Sequence, residues 1–299
     1  MKWCIRLKNF ILYGNVWIAL GAGATTAQTL HILGIRRLEI AWFAALATFF
    51  TYNFQRLVKL DRLDGYADHN RNAWSVRNRR LMTLLTGVAF ILLLGFIPQL
   101  PPSVWALLAV AFVVSVGYVV RFIPAAHPSP KNKKTTPKRA LRELPHAKLL
   151  LVAAVWSIAT VLLPVLWTDA QVQASTLAAL VLERFFFIAA LSVPFDIRDA
   201  ELDQRSQQTL PQVFGLAGAR NAALLFIAVS GVFTLFLWMD GSYSTPIARA
   251  IALSQLLALT AVHFSITKDA NGYRARPEPY YSGVIDALIL LQALLVLGV

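Results

Sequence analysis

The sequence predicts an all-α, polytopic membrane protein, a bundle of about nine transmembrane helices, and three observations carry that reading. Hydrophobic residues fill 57% of the 299 positions and charged residues only 14%, where an ordinary soluble domain is roughly a quarter charged. Apolar runs long enough to cross ~30 Å of hydrocarbon, about 20 residues each, recur along the whole chain. Lys and Arg gather in alternate gaps between those runs.

The runs lie near 10–32, 39–57, 81–98, 103–121, 148–167, 174–195, 219–238, 246–266 and 281–299. The first lacks a short apolar region ending in a cleavage site, so it reads as a retained span and the mature chain is expected to begin near Met1. Pro101 and Pro102 punctuate the gap between the third and fourth runs, and Asp240 with Gly241 the gap between the seventh and eighth. No run of soluble-domain composition intervenes, so residues 1–299 are expected to form a single membrane-embedded domain.

Assigning alternate gaps to opposite sides places 24 Lys and Arg on one side, leaving Arg36, Arg37 and Arg249 on the other and Arg184 within a span. The positive-inside rule then puts the N-terminus in the cytoplasm, in a multi-pass protein expected in the cytoplasmic membrane. This bias also accounts for the net charge of +13, so no nucleic-acid partner is expected. The longest basic gap, about 123–143, is rich in Pro, Lys and Thr and reads as a flexible loop that fixes topology or attracts anionic headgroups. A single cysteine, Cys4, excludes an intramolecular disulfide and any thiolate cluster.

The chemistry concentrates just after the sixth run, in FDIRDAELDQRSQQTLP. Asp196, Asp199 and Asp203 follow an i, i+3, i+7 spacing, which places three carboxylates on one face if the helix continues through them. Three neighbouring carboxylates repel unless a cation joins them. A magnesium ion is suited to that role, because it takes hard oxygen ligands from one or two carboxylates and completes its shell with water and substrate phosphates. The competing reading is a solvated helix end, balanced by Arg198 and Arg205. Deeper in the same span Glu183 and Arg184 are expensive in lipid and must find partners, as must Asp286 in the ninth run.

The stretch from Asp196 to Gly215, with DxxDxxxD followed by Thr209, Leu210, Pro211 and Gly215, resembles the second aspartate motif of the UbiA superfamily of intramembrane prenyltransferases. The resemblance covers most of the chain in architecture, with nine runs and motif positions after the second and sixth, but only those two stretches in detail. It implies a UbiA-like helical fold in which two aspartate motifs face each other and hold Mg2+ for an isoprenyl diphosphate donor. It further implies transfer of the isoprenyl group to an apolar acceptor, with membrane lipids surrounding the cavity. On this resemblance Asp196, Asp199, Asp203 and Asp61 are the expected metal ligands, with Asp199 and Asp203 the catalytic pair. Family proteins often carry a lysine near the start of the fifth span, the place of Lys148.

The first motif departs from the family pattern NDxxDxxxD. Here it reads NFQRLVKLD, keeping Asn53 and Asp61 while Phe54 and Leu57 stand where two aspartates belong. Either Asn53, Arg56 and Lys148 contact the diphosphate, Arg through its planar fork, or the chain keeps the fold and has become a catalytically inactive lipid-binding or partner protein. A transporter is the remaining alternative, although no pair of broken mid-membrane helices marks one. Asp61, Asp64 and Gly65 imitate the opening of a CDP-alcohol phosphatidyltransferase motif, but the rest of that motif is absent. The five histidines show no metal-ligand spacing.

Overall fold

The computed structural model describes residues 2–60, 70–124, 138–200, 207–269 and 272–299. Over most of its length each apolar run falls on helix: α1 (Lys2–Tyr13), α2 (Val16–Ile32), α3 (Leu38–Leu60), α4 (Asn70–Arg77), α5 (Arg79–Leu94), α6 (Pro102–Gly117), α7 (Ala147–Ser157), α8 (Leu163–Thr168), α9 (Ala174–Arg198), α10 (Leu210–Met239), α11 (Thr245–His263) and α12 (Asp286–Leu297). Two π-helical turns, Ile158–Leu162 and Tyr280–Ile285, lead into α8 and α12. The basic loop after α6 closes at its base by antiparallel pairing of β1 (Ile123–Pro124) with β2 (Lys138–Arg139). Most of that expected flexible loop lies outside the described residues. A second hairpin pairs β3 (Ile266–Asp269) with β4 (Gly272–Ala275).

Among the described residues, six helical segments are long and apolar enough to cross a bilayer, and a seventh if the bent pair α1 and α2 counts as one span. Between them α6 is apolar but shorter, and α3 reaches 23 residues but ends in the polar run Asn53, Gln55, Arg56. Large apolar side chains such as Leu84, Ile91, Phe112, Val113, Leu225 and Val232 stand exposed. A water-soluble monomer rarely exposes so much contiguous apolar surface. The chain is therefore an integral, multi-pass membrane protein whose outer faces meet lipid.

One expected span proves to be two helices. The 10–32 run breaks at Gly14 and Asn15, where Asn15 adopts the left-handed conformation (φ 61°), and the helices on either side meet at 57°. A residue at positive φ cannot continue an α-helix, and Asn is among the few side chains that tolerate it.

Packing sets the helices in a ring. α2 lies between α3 and α12, α3 meets α5, α7 meets α9, and α10 joins α9 to α11, which returns to α12. The most enclosed of the spanning segments is α9, and the largest core cluster runs along it through Phe187, Ile188, Val193 and Ile197 to Ala219, Ile227 and Tyr281.

Within this core Glu183 and Arg184 have their partners. The Glu183 carboxylate accepts from Ser230 (3.3 Å) and Gln255 (3.4 Å), while Arg184 donates to the Thr25 carbonyl (3.3 Å) and Thr160 Oγ1 (3.2 Å). Their own contact is looser, Nε to Oε2 at 3.9 Å. The pair thus ties α9 to α2, α10, α11 and the π turn before α8 as an interhelical polar layer.

The long α10 contains its own bend. Gly215 has φ 71° and ψ 172°, a region populated essentially by glycine alone. A Cβ there would meet no atom within 4 Å, so backbone strain is the whole penalty for a side chain. Gly215→Ala is expected to lower stability by about 1–3 kcal/mol, read as a reduced melting temperature of the detergent-solubilised protein. An unchanged melting temperature would show that the bend is not required.

Candidate functional site at the basic end of the bundle

The site assembles where α3 and α9 end and α4 and α7 begin, beside the basic loops. On α9, Pro194 lies inside the helix one turn before its end, and Asp199 caps it (φ −91°, ψ 5°). The continuous helix expected to carry all three aspartates on one face therefore stops at Arg198. Asp203 lies outside the described residues, as does Asp61 of the first motif.

The two described aspartates are each held by a cation. Lys148, at the start of α7, places Nζ 2.8 Å from Asp196 Oδ1, joining two residues that the sequence offered for separate roles. Arg198 grips Asp199 through both edges of its fork, Nε to Oδ1 at 2.7 Å and Nη2 to Oδ2 at 2.9 Å. Burial would push the Asp199 carboxyl up, but the Arg198 hydrogen bonds and the charges of Arg198, Lys148 and Arg71 outweigh it and hold the group below the usual carboxylate range. Asp199 is therefore ionised at neutral pH. Both pairs are largely shielded from water, where a charge stripped of its partner costs several kcal/mol.

Across from them stands the end of α3. Asn53 is buried, 1% exposed, and donates to the carbonyls of Phe49 (3.0 Å) and Gly14 (3.2 Å). Arg56 donates to Ser75 Oγ of α4 at 3.4 Å and lies within electrostatic reach of Arg71, Arg198 and Asp199. Lys59 senses the charges of Arg142, Arg56 and Lys148 and lies over the Tyr118 ring. The fold thus brings the reduced first motif and the second motif to one charged space.

Three participants escaped sequence reasoning. Asn15 sits at the α1–α2 bend, Arg71 on the short α4, and Glu278 just before α12, where it accepts from the Ser282 hydroxyl and approaches Arg198 Nη1 at 3.9 Å. The Gly14–Asn15 pair, polar within an apolar run, was the available signal for the first; α4 has no apolar periodicity that would have pointed to Arg71. Asp286, whose partner the sequence left open, lies within reach of Arg71 and Arg198.

Among the described residues the aspartate motifs contribute two carboxylates, Asp196 and Asp199. Among the described residues no three His, Cys, Asp or Glu side chains gather closely enough to form a metal cluster. Asp196 and Asp199 do supply the one or two carboxylates that magnesium takes when substrate phosphates and water complete its shell. On the first-motif side Phe54 and Leu57 offer no ligand atom.

Neither the protein-family models nor the curated protein sequences give a match to this chain. Solved structures do. A UbiA homolog from Aeropyrum pernix K1 superposes with a TM-score of 0.61 at 14% identity, over 94% of this chain and 95% of that one. A UbiA homolog from Archaeoglobus fulgidus, bound to DMAPP and Mg2+, gives 0.60 at 16% identity over 98% and 99%. A structure concerned with digeranylgeranylglyceryl phosphate synthase in membranes gives 0.55 at 12% identity over 98% of both chains.

Proposed function

From a chain that has the fold of the UbiA homologs, we propose a membrane prenyltransferase that binds an isoprenyl diphosphate at its cytoplasmic face and transfers the isoprenyl group to an apolar acceptor. The observation that carries this reading is the convergence of Arg56 on α3 with Lys148, Asp196, Arg198 and Asp199 around one charged space at the mouth of an apolar bundle. That arrangement suits a ligand with an anionic head and a greasy tail.

In this reading Asp196 and Asp199 would hold Mg2+, with Asp203 and Asp61 as further candidate ligands. The ion, when bound, supplies Lewis-acid neutralisation of the departing diphosphate. Lys148 and Arg198 exchange their carboxylate partners for diphosphate oxygens as the donor settles, and Arg56 faces the same oxygens from the opposite side, with Asn53 fixing the end of α3. The allylic C1–O bond breaks, its electron pair leaves with the diphosphate, and the acceptor forms the new bond to C1 and releases a proton. Preorganised cations stabilise the charge where it develops, and the lipid-facing bundle keeps water from the allylic cation.

The test is binding and turnover of radiolabelled isoprenyl diphosphates by the purified protein, with and without Mg2+. Metal-dependent transfer to an apolar acceptor is the expected result, and neither binding nor transfer would sink the proposal. Binding without transfer would favour an inactive lipid-binding protein, a reading supported by the loss of carboxylates at Phe54 and Leu57.

A further inference from the structure

The two halves of the site differ in chemistry. Where α9 presents carboxylates, α3 and α4 present cations, and one of these is held in place from behind. Arg71 Nη2 donates to Asn15 Oδ1 at 3.1 Å, and Asn15 Nδ2 donates to Asn53 Oδ1 at 3.0 Å. Both asparagines are 1% exposed, and Asn53 is itself anchored by the two carbonyls of Gly14 and Phe49. This two-asparagine relay fixes one edge of the guanidinium. Arg71 Nε, in contrast, is buried with no hydrogen-bond partner among the described residues. The group stands within electrostatic reach of Arg198, Asp199, Glu278 and Asp286.

The neighbouring cations make the same point. Arg56 senses the charges of Arg71 and Arg198, and Lys59 those of Arg142, Arg56, Lys148 and Arg71. Lys148 and Arg198 are paired with Asp196 and Asp199. Like charges gathered out of water repel, and an anion with several oxygens relieves that repulsion. A guanidinium with an open edge is matched to phosphate oxygens, which it can grip through two parallel hydrogen bonds.

We propose that the α3–α4 half of the site binds the donor's diphosphate directly through Arg71 and Arg56, Arg71 being positioned by the Asn15–Asn53 relay, so that these cations replace a metal ion on the first-motif side. The inference rests on the prenyl-diphosphate reading above and deepens it. It requires substantial diphosphate affinity without magnesium, because Arg71 and Arg56 hold the anion without the ion.

The experiment measures binding of inorganic diphosphate and of an isoprenyl diphosphate to the full-length protein in detergent, in EDTA and in excess Mg2+. The wild type is expected to retain binding of both in EDTA, weakened by no more than about tenfold. Arg71→Gln is expected to weaken the EDTA-state affinity by about tenfold or more, the effect of losing a charge-assisted hydrogen bond, with partial rescue in Arg71→Lys. Arg56→Gln, on the well-packed α3, carries the same expectation should Arg71 variants misfold. Wild-type binding abolished by EDTA, together with unchanged Mg2+-supported binding in Arg71→Gln and Arg56→Gln, would overturn the inference and leave the proposed function standing. Absence of binding in both conditions would overturn both.

Discussion

Asp199→Ala is expected to reduce isoprenyl transfer by on the order of 100- to 1,000-fold, the usual loss when one preorganised electrostatic group is removed from an active site. Asp199 closes α9 and fixes Arg198 by two hydrogen bonds of 2.7 and 2.9 Å. Its removal takes away a carboxylate proposed as a metal ligand and at the same time frees the Arg198 guanidinium, which lies over the Phe195 and Tyr281 rings. Asp199→Asn separates the two effects. An amide oxygen still accepts one bond from Arg198 but carries no charge for a cation, so Asn is expected to preserve the melting temperature while turnover falls nearly as far as with Ala. Turnover by both variants at the wild-type rate would remove Asp199 from the mechanism.

Arg184→Leu is expected to destabilise the protein by about 3–5 kcal/mol, the cost of leaving a buried partner charge uncompensated. Glu183 is 0% and Arg184 2% exposed, so the carboxylate has no water to turn to. Deleting the guanidinium also orphans the Thr25 carbonyl contact and the Thr160 hydroxyl contact. The double variant Glu183→Gln, Arg184→Leu is expected to recover much of the loss, since the amide can still accept from Ser230 and Gln255 without a net charge. Thermal unfolding in detergent measures both; a single variant as stable as wild type would show that lipid or water already solvates the pair.

Some of this was legible along the chain, because it depends on short-range periodicity. Apolar runs at bilayer length foretold where α2, α5, α9, α10 and α12 lie. Asp196 and Asp199 announced themselves by spacing at the end of such a run, whereas Gly215 was named only as part of a resembled motif and the turn of the backbone there to φ 71° was not foreseen. Asn53 and Arg56 were named from the remnant of a motif, and Arg56 lies within electrostatic reach of Arg198 and Asp199.

What periodicity could not show is which faces meet. Lys148 and Asp196 were read as a phosphate contact and a metal ligand, yet they are 48 positions apart in the chain and bonded to each other at 2.8 Å. Arg184 reaches Thr25 across 159 residues, and Asn15 reaches Asn53 across 38. Arg71 sits on a short polar helix with no apolar stripe, so nothing local distinguishes it from a solvated surface residue. The membrane setting, the positions of the spans and the aspartate-bearing helix end follow from composition and spacing, since apolar length and carboxylate offsets are properties of neighbouring residues. The partners of each charge follow only from tertiary packing, because out of water a charge is governed by whichever group the assembled helices bring within a few ångströms.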